Sequence, residues 1–330
     1  MGSGPVISFS YRATVFQLRL VKFQNQSHNL GQWLGGRNAI APPAASPGRC
    51  ASLKSKKMLY DRDFRILTET EQAEWKAAED VYNKVLTRRK GIVSSGDIVR
   101  YNESLPLAAR YHQELFPNNF LDKQIFREPK PLKDLMIEFQ SLVENTTVSE
   151  RDILNFIKTR KAYFIIGSVL SGFQYNFGHH GAFLFREFEL PATYKVDFLL
   201  IGDSSEGHSF VFVELESPYG QITTSDGEFG AVIRKGIKQV TEWDIWLEKN
   251  YSALKLIYDK ELGLTQPLPN EFVELDKSRI HYVVIAGRRT DFNDKTYKLR
   301  RRLRKSDSVL VLHYDNLFDS VEHLIERKNY

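Results

Sequence analysis

Two glutamates, Glu214 and Glu216, close an otherwise apolar run, Ser209–Glu216. With the alternation of a strand, Phe210, Phe212, Glu214 and Glu216 share one face, and Val211, Val213 and Leu215 share the other. Two carboxylates therefore leave the same side of a strand that is apolar on both faces. In such a setting an acid is costly unless it is paired or bound to a cation. Asp197 interrupts a neighbouring apolar run, Tyr194–Ile201, and can reach the same place. Three hard oxygen donors converging there suit Mg²⁺ or Mn²⁺. The spacing alone equally allows Glu214 and Glu216 to pair with Lys or Arg at a solvated strand end, because an aspartate followed by a Glu-x-Glu triplet arises easily by chance.

The elements around these acids read as strand, strand, strand, helix. Phe185–Leu190 is a short strand carrying Glu187 and Glu189 and closed by Pro191. Tyr194–Ile201 and Ser209–Glu216 form a hairpin across the polar turn Gly202–Gly207. The helix is Gly230–Leu247, with Ile233, Ile237, Val240 and Leu247 as its apolar stripe. Gln239 and Trp243 stand one turn apart on an adjacent face, with Lys235, Lys238 and Glu242 nearby.

Asp197, the triplet Glu214-Leu215-Glu216 and Gln239-x-x-x-Trp243 together resemble the PD-(D/E)XK nuclease superfamily. More closely, they resemble the Shedu-type anti-phage nuclease domain. The matching stretches are Tyr194–Leu200, Phe212–Pro218, Lys235–Leu247 and His313-Tyr314-Asp315-Asn316-Leu317, within roughly residues 133–330. The resemblance implies a metal-dependent endonuclease acting on DNA in defence against phage, with Mg²⁺ or Mn²⁺ as cofactor. It also implies that Asp197 and Glu214 hold the ion and that Glu189, ahead of them, supplies a further acid. Glu216 becomes a third ligand or a water-positioning base, and Gln239 orients water or a ligand. One position departs from the pattern: the superfamily usually carries Lys where this chain has Glu216. That lysine orients the attacking water and stabilises charge on the phosphate. Some members carry Glu there and still cleave, and in others the lysine comes from the following helix, where Lys238 or Lys235 could serve. Loss of activity is the third possibility, which makes the competing reading a nuclease fold that binds or senses nucleic acid without cleaving it.

The expected fold class is α/β: a restriction-endonuclease-like core, with a central mixed sheet flanked by helices, after a mainly helical amino-terminal module. The expected boundaries are 1–56 for an accessory segment, 57–130 for the helical module and 131–330 for the nuclease-like domain. In the first segment Val15–Phe23 has strand character, Ala41–Gly48 is a Pro/Ala linker, and Lys54, Lys56 and Lys57 form a small basic cluster. Thr68–Lys90 is a helix with a capping box at Thr68-x-x-Glu71 and Gly91 after a basic last turn. Leu132–Glu144 and Thr147–Arg160 are helices, the second capped through Ser149-x-x-Asp152. Ala162–Leu170 is a buried apolar stretch, and the His179–His180 pair falls in a loop. Tyr251–Pro269 reads as connection, Arg279–Gly287 and Val309–Leu312 as strands.

Thr296–Lys305 is a basic helix bearing Lys298, Arg300, Arg301, Arg302, Arg304 and Lys305. With Lys235, the arginines Arg300, Arg301, Arg302 and Arg304 are the candidate contacts to a DNA backbone. A net charge of +5 over 330 residues permits this partner without proving it. The single cysteine, Cys50, rules out an internal disulfide and suits a reducing cytoplasm. No secretory pattern and no apolar run of membrane-spanning length is present. GxxxxGK[ST], GxSxG and HExxH are all missing, so no nucleotide cofactor, serine nucleophile or zincin site is expected. A homo-oligomer is the expected assembly.

Overall fold

Alternating apolar side chains build the centre of this protein, and each strand sends its two sets into two separate cores. The computed structural model describes residues 58–330, apart from residues 90, 93, 174, 192 and 265. The possible strand Val15–Phe23, the Pro/Ala linker, Cys50 and the Lys54–Lys57 cluster lie outside the described residues. Five strands, β1 (Gly181–Leu190), β2 (Tyr194–Ser204), β3 (Gly207–Leu215), β4 (Ile280–Ile285) and β5 (Val309–Leu312), form one sheet in that spatial order. β1, β2 and β3 pair antiparallel, whereas β3, β4 and β5 pair parallel. The sheet is thus mixed, as the sequence suggests. Its two parallel connections each carry a helix, the arrangement a parallel crossover requires.

One face of the sheet presents Leu184, Leu200, Val211, Val213, Val283 and Leu312. It packs against α4 (Pro129–Glu144), α5 (Glu150–Thr159), α6 (Tyr163–Gly167) and the closing helix α10 (Tyr314–Arg327). The opposite face presents Phe185, Leu199, Phe210, Phe212, Tyr282 and Val284. There α7 (Ala231–Asn250) contributes Val240, Trp243 and Leu247, and α8 (Lys255–Glu261) contributes Tyr258. The basic helix α9 (Asp294–Asp307) lies along β5. Ahead of these come α1 (Glu69–Arg88), α2 (Ser95–Ser104) and α3 (Leu107–His112). Both capping boxes read from the sequence, Thr68 with Glu71 and Ser149 with Asp152, are formed. Gly91 takes φ +84°, the left-handed geometry that glycine supplies after a helix.

Three stretches differ from their sequence reading. The hairpin turn is only Ser205 and Glu206, because Gly202–Ser204 and Gly207 join the paired strands. β1 starts at Gly181, four residues before Phe185, because Ala182 and Leu184 feed one core while Phe183 feeds the other. Tyr251–Pro269 is more than a connection: a 3₁₀ turn at Tyr251–Leu254 leads into α8. Tyr251, Leu254 and Tyr258 recur at helical spacing and are buried, a stripe that the charged residues between them hide. The described residues all belong to one compact unit, Ser55–Tyr330. Within it Phe64, Tyr111, Phe116 and Phe120 pack on the sheet, and the Leu121 N–H donates to the Ala182 carbonyl at 2.8 Å.

Candidate active site

The acids meet where β2 and β3 part company. Pairing of the two strands runs as far as Phe198 with Val213. One residue further along β2, Asp197 no longer joins the ladder through its backbone, and its Oδ2 accepts the Leu215 N–H at 2.9 Å instead. Opposite it on β1, between the pairs Arg186–Phe198 and Phe188–Val196, Glu187 sits at φ +49°. A non-glycine residue there is uncommon and marks local strain of the kind that gathers at functional sites.

Glu214 and Glu216 are both only 3% exposed. Glu214 Oε1 accepts Gln239 Nε2 at 2.5 Å, while its Oε2 is buried with no partner. Glu216 Oε2 accepts Lys235 Nζ at 2.7 Å, and its Oε1 is also buried without a partner. The Glu216 backbone is pinned on both sides, its N–H donating to the Ile285 carbonyl and its carbonyl accepting the Tyr314 hydroxyl, each at 2.8 Å. Gly236 lets α7 come this close. A Cβ there would stand 2.5 Å from Val284 Cγ1 and 3.2 Å from Glu216 Cγ. Lys235 and Gln239, on either side of that contact, reach over the strand end to the acids.

A fourth carboxylate completes the group. Glu150, at the start of α5, lies 3.7 Å from Lys235 Nζ. Its charge raises the pKa of Asp197, Glu214 and Glu216. Its role was hidden in the sequence because an acid in the first turn of a capped helix is ordinary dipole chemistry. Burial pushes Asp197 and Glu214 well above the usual carboxylate range. At Asp197 the Leu215 N–H works against that shift, and at Glu214 the charge of Asp197 adds to it. Glu216 is raised as well, first by burial, with Lys235 opposing. Four acids thus share one ammonium.

Of the residues singled out in the sequence, Asp197, Glu214, Glu216, Gln239 and Lys235 come together. Lys238 does not: it is 79% exposed and lies 3.8 Å from Glu242, one turn along α7. Glu189 stands apart too, exposed on β1 opposite Lys195, because Phe188 and Leu190 on either side of it take the inward positions. Trp243 belongs to the core rather than to the acid cluster. The arginines Arg300, Arg301, Arg302 and Arg304 lie on α9, along β5. His179 is half-buried, with its ring against His180.

The His313–Leu317 stretch proves to be scaffold. Tyr314 holds the Glu216 carbonyl, and Asp315 receives Arg288 in a two-pronged pair at 2.9 and 3.2 Å. Arg288 also donates to Tyr219 Oη at 3.2 Å and to the Val143 carbonyl at 3.3 Å, tying the loop after β3 to α4.

The donor set fits a hard divalent cation in chemistry: carboxylate oxygens, two of them buried and unpartnered, in a group of four acids beside one ammonium. Among the described residues, no group of three or more His, Cys, Asp or Glu side chains is already drawn together as a metal cage. Mg²⁺ commonly takes one or two carboxylates and keeps its waters, so Asp197 and Glu214 would suffice.

A family model described as "Shedu protein SduA, C-terminal" matches residues 147–318, a little over half of the chain. The match runs from just before Glu150 into α10 and includes every acid of the cluster. A search among curated proteins gives no match.

Proposed function

The chain belongs to the Shedu family of anti-phage defence proteins through its SduA C-terminal domain, and from that premise we propose that it is a metal-dependent DNA endonuclease with a PD-(D/E)XK-type core. The observation that carries this reading is the meeting of Asp197, Glu214, Glu216 and Lys235 at the end of β3, with two carboxylate oxygens left unpartnered. Asp197 and Glu214 would hold Mg²⁺ or Mn²⁺. Bound there, the ion lowers the pKa of water and offsets charge on the phosphate.

The protein's own groups supply the rest. Lys235 stands in for the lysine that the Glu216 position lacks, its Nζ on the carboxylate at 2.7 Å. It is 59% exposed, so it can leave Glu216 for an arriving phosphate oxygen. Glu216, freed of Lys235, accepts a proton from water. Gln239 fixes one oxygen of Glu214 and so aims the other. DNA is the partner in this reading, and the homo-oligomer and the cytoplasmic setting belong to it as well. Among the described residues no helix is long and apolar enough to cross a membrane.

The test is direct. Asp197→Ala and Glu214→Ala should each abolish Mg²⁺-dependent cleavage of duplex DNA while keeping the native circular dichroism spectrum. Full cleavage by either variant would end the proposal. The second reading, a fold that binds nucleic acid without cutting it, is favoured by the closed Lys235–Glu216 pair. It predicts DNA binding without cleavage in both Mg²⁺ and Mn²⁺.

A further inference from the structure

The basic side chains of α9 divide into two kinds. Lys298, Arg301, Arg302 and Lys305 are exposed, whereas Arg300 and Arg304 are half-buried. Tyr297, Arg300, Arg301 and Arg304 recur at helical spacing and form one stripe. With Leu310 of β5 they line a pocket of about 160 Å³. Around it the guanidinium groups lie over aromatic rings. Arg300 is 5.6 Å from the Phe173 centroid and 6.0 Å from that of Tyr297. Arg304 is 5.5 Å from the Tyr175 centroid. Phe173 holds φ +58°, a strained position for a bulky residue.

Among the described residues these arginines have no counter-charge. Other half-buried arginines of the protein are matched, Arg110 with Asp122 at 2.8 Å and Arg288 with Asp315 at 2.9 Å. Among the described residues, neither Arg300, Arg301 nor Arg304 has a carboxylate within ion-pair distance, and burial together with the charges of Arg304 and Arg301 depresses the Arg300 pKa. The missing charge cannot come from the amino-terminal segment, since residues 1–57 contain no Asp or Glu. Three clustered guanidiniums, two of them partly desolvated, call for an anion.

We propose that the pocket formed by Tyr297, Arg300, Arg301, Arg304 and Leu310 is a built anion site that takes a phosphoryl group. Ring faces are already covered by the guanidiniums, so a ligand meets their N–H edges rather than a stacking surface. Those planar forks match tetrahedral oxyanions. The Tyr297 hydroxyl is engaged with His313 Nε2 at 3.2 Å and serves as wall. At about 160 Å³ the pocket falls well short of the roughly 300 Å³ at which drug-sized sites begin, which selects a phosphate or pyrophosphate moiety over a whole base and sugar. The phosphoryl group belongs either to a nucleic-acid strand or to a free phosphorylated small molecule. The inference is independent of the chemistry assigned to the acid cluster.

Calorimetry of the full chain with pyrophosphate, in the absence of divalent metal, tests it. Wild-type protein binds. Arg300→Gln and Arg304→Gln each weaken binding by at least about tenfold, the loss expected for a charge-assisted hydrogen bond. Lys305→Gln, exposed on the same helix and outside the pocket, leaves it unchanged. If Arg300→Gln fails to fold, the exposed Arg301→Gln carries the same expectation. Duplex DNA anisotropy then separates the sources. Loss of DNA affinity in the same variants, with pyrophosphate displacing DNA, assigns the phosphoryl group to a strand. Unchanged DNA affinity assigns it to a free ligand. Failure of wild-type protein to bind pyrophosphate, or an equal loss in Lys305→Gln, overturns the proposal. Neither readout involves cleavage, so the nuclease reading stands or falls separately.

Discussion

Lys235 and Glu216 decide how the departure from the family pattern is to be understood. The position two residues after Glu214 carries an acid, and the ammonium arrives from α7 to sit on it. The two side chains behave as one unit, which a double-mutant cycle can measure. Glu216→Gln and Lys235→Met, alone and combined, should give a coupling energy of about 1 kcal/mol rather than the ~3–5 kcal/mol lost on breaking a fully buried pair. Solvent reaches Lys235, which is 59% exposed, and weakens the attraction. Urea denaturation checks this, and a coupling near zero would mean that the pair is incidental. Glu216→Lys adds a further expectation. It places lysine where the proposed PD-(D/E)XK pattern has one but sets two ammonium groups side by side, so it should lower stability and give no gain of cleavage. A clear gain would identify Glu216 as the lesion of a degenerate site.

Helix α7 positions the site, and its position depends on Gly236. Replacing that glycine with alanine would force the new methyl into Val284 and against Glu216. The helix must then lift, at a cost of about 1–3 kcal/mol for overpacking, and Lys235 and Gln239 withdraw with it. Gly236→Ala should therefore lower both the denaturation midpoint and the cleavage rate, whereas Lys238→Ala, on the exposed face of the same helix, should change neither. Equal effects from the two would remove the argument from close approach. These elements also mark how far the sequence could be read. Strict alternation in β3 correctly places Phe210 and Phe212 in one core and Val211 and Val213 in the other. It also puts Glu214 and Glu216 on the α7 side, since acids at the end of an apolar strand leave few alternatives. Lys235 and Lys238 were indistinguishable by spacing, because only the packing of Gly236 fixes which turn of the helix faces the acids. Glu150 was invisible for a different reason. Forty-odd residues upstream of Asp197, its role exists only once α5 has folded back onto the strand ends. The resemblance puts Glu189 at the place of a further acid ahead of Asp197, and the pleat of β1 turns it away.

On the scale of the whole molecule, the desolvated acids and the desolvated histidines set opposite limits on stability. Asp197, Glu214 and Glu216 have folded-state pKa values raised above their unfolded ones. Between the unfolded and folded values the native state binds more protons than the unfolded chain, so stability falls as pH rises from about 4 through the raised values. His281 and His313 behave oppositely. Burial lowers each to about 4, so their contribution is lost as pH falls from about 6.5 toward 4. Glu271, held down to about 2 by its hydrogen bond from His208, adds a further loss only below its unfolded value, as pH falls from about 4.5 toward 2. Stability of the metal-free protein should therefore peak on the acid side of neutrality. In the proposed reading, a divalent cation at Asp197 and Glu214 would bind the deprotonated acids, displace protons and tighten as pH rises. Mg²⁺ at a hundredfold excess over its dissociation constant should stabilise by about 2.7 kcal/mol, and its effect should appear on the alkaline limb alone. Urea titrations at pH 5, 6.5 and 8, with and without Mg²⁺, test both limbs. In Asp197→Asn/Glu214→Gln protein the alkaline decline should flatten and the Mg²⁺ effect vanish, leaving the acid limb as in wild type. An Mg²⁺ effect of equal size in that double variant would place the ion elsewhere.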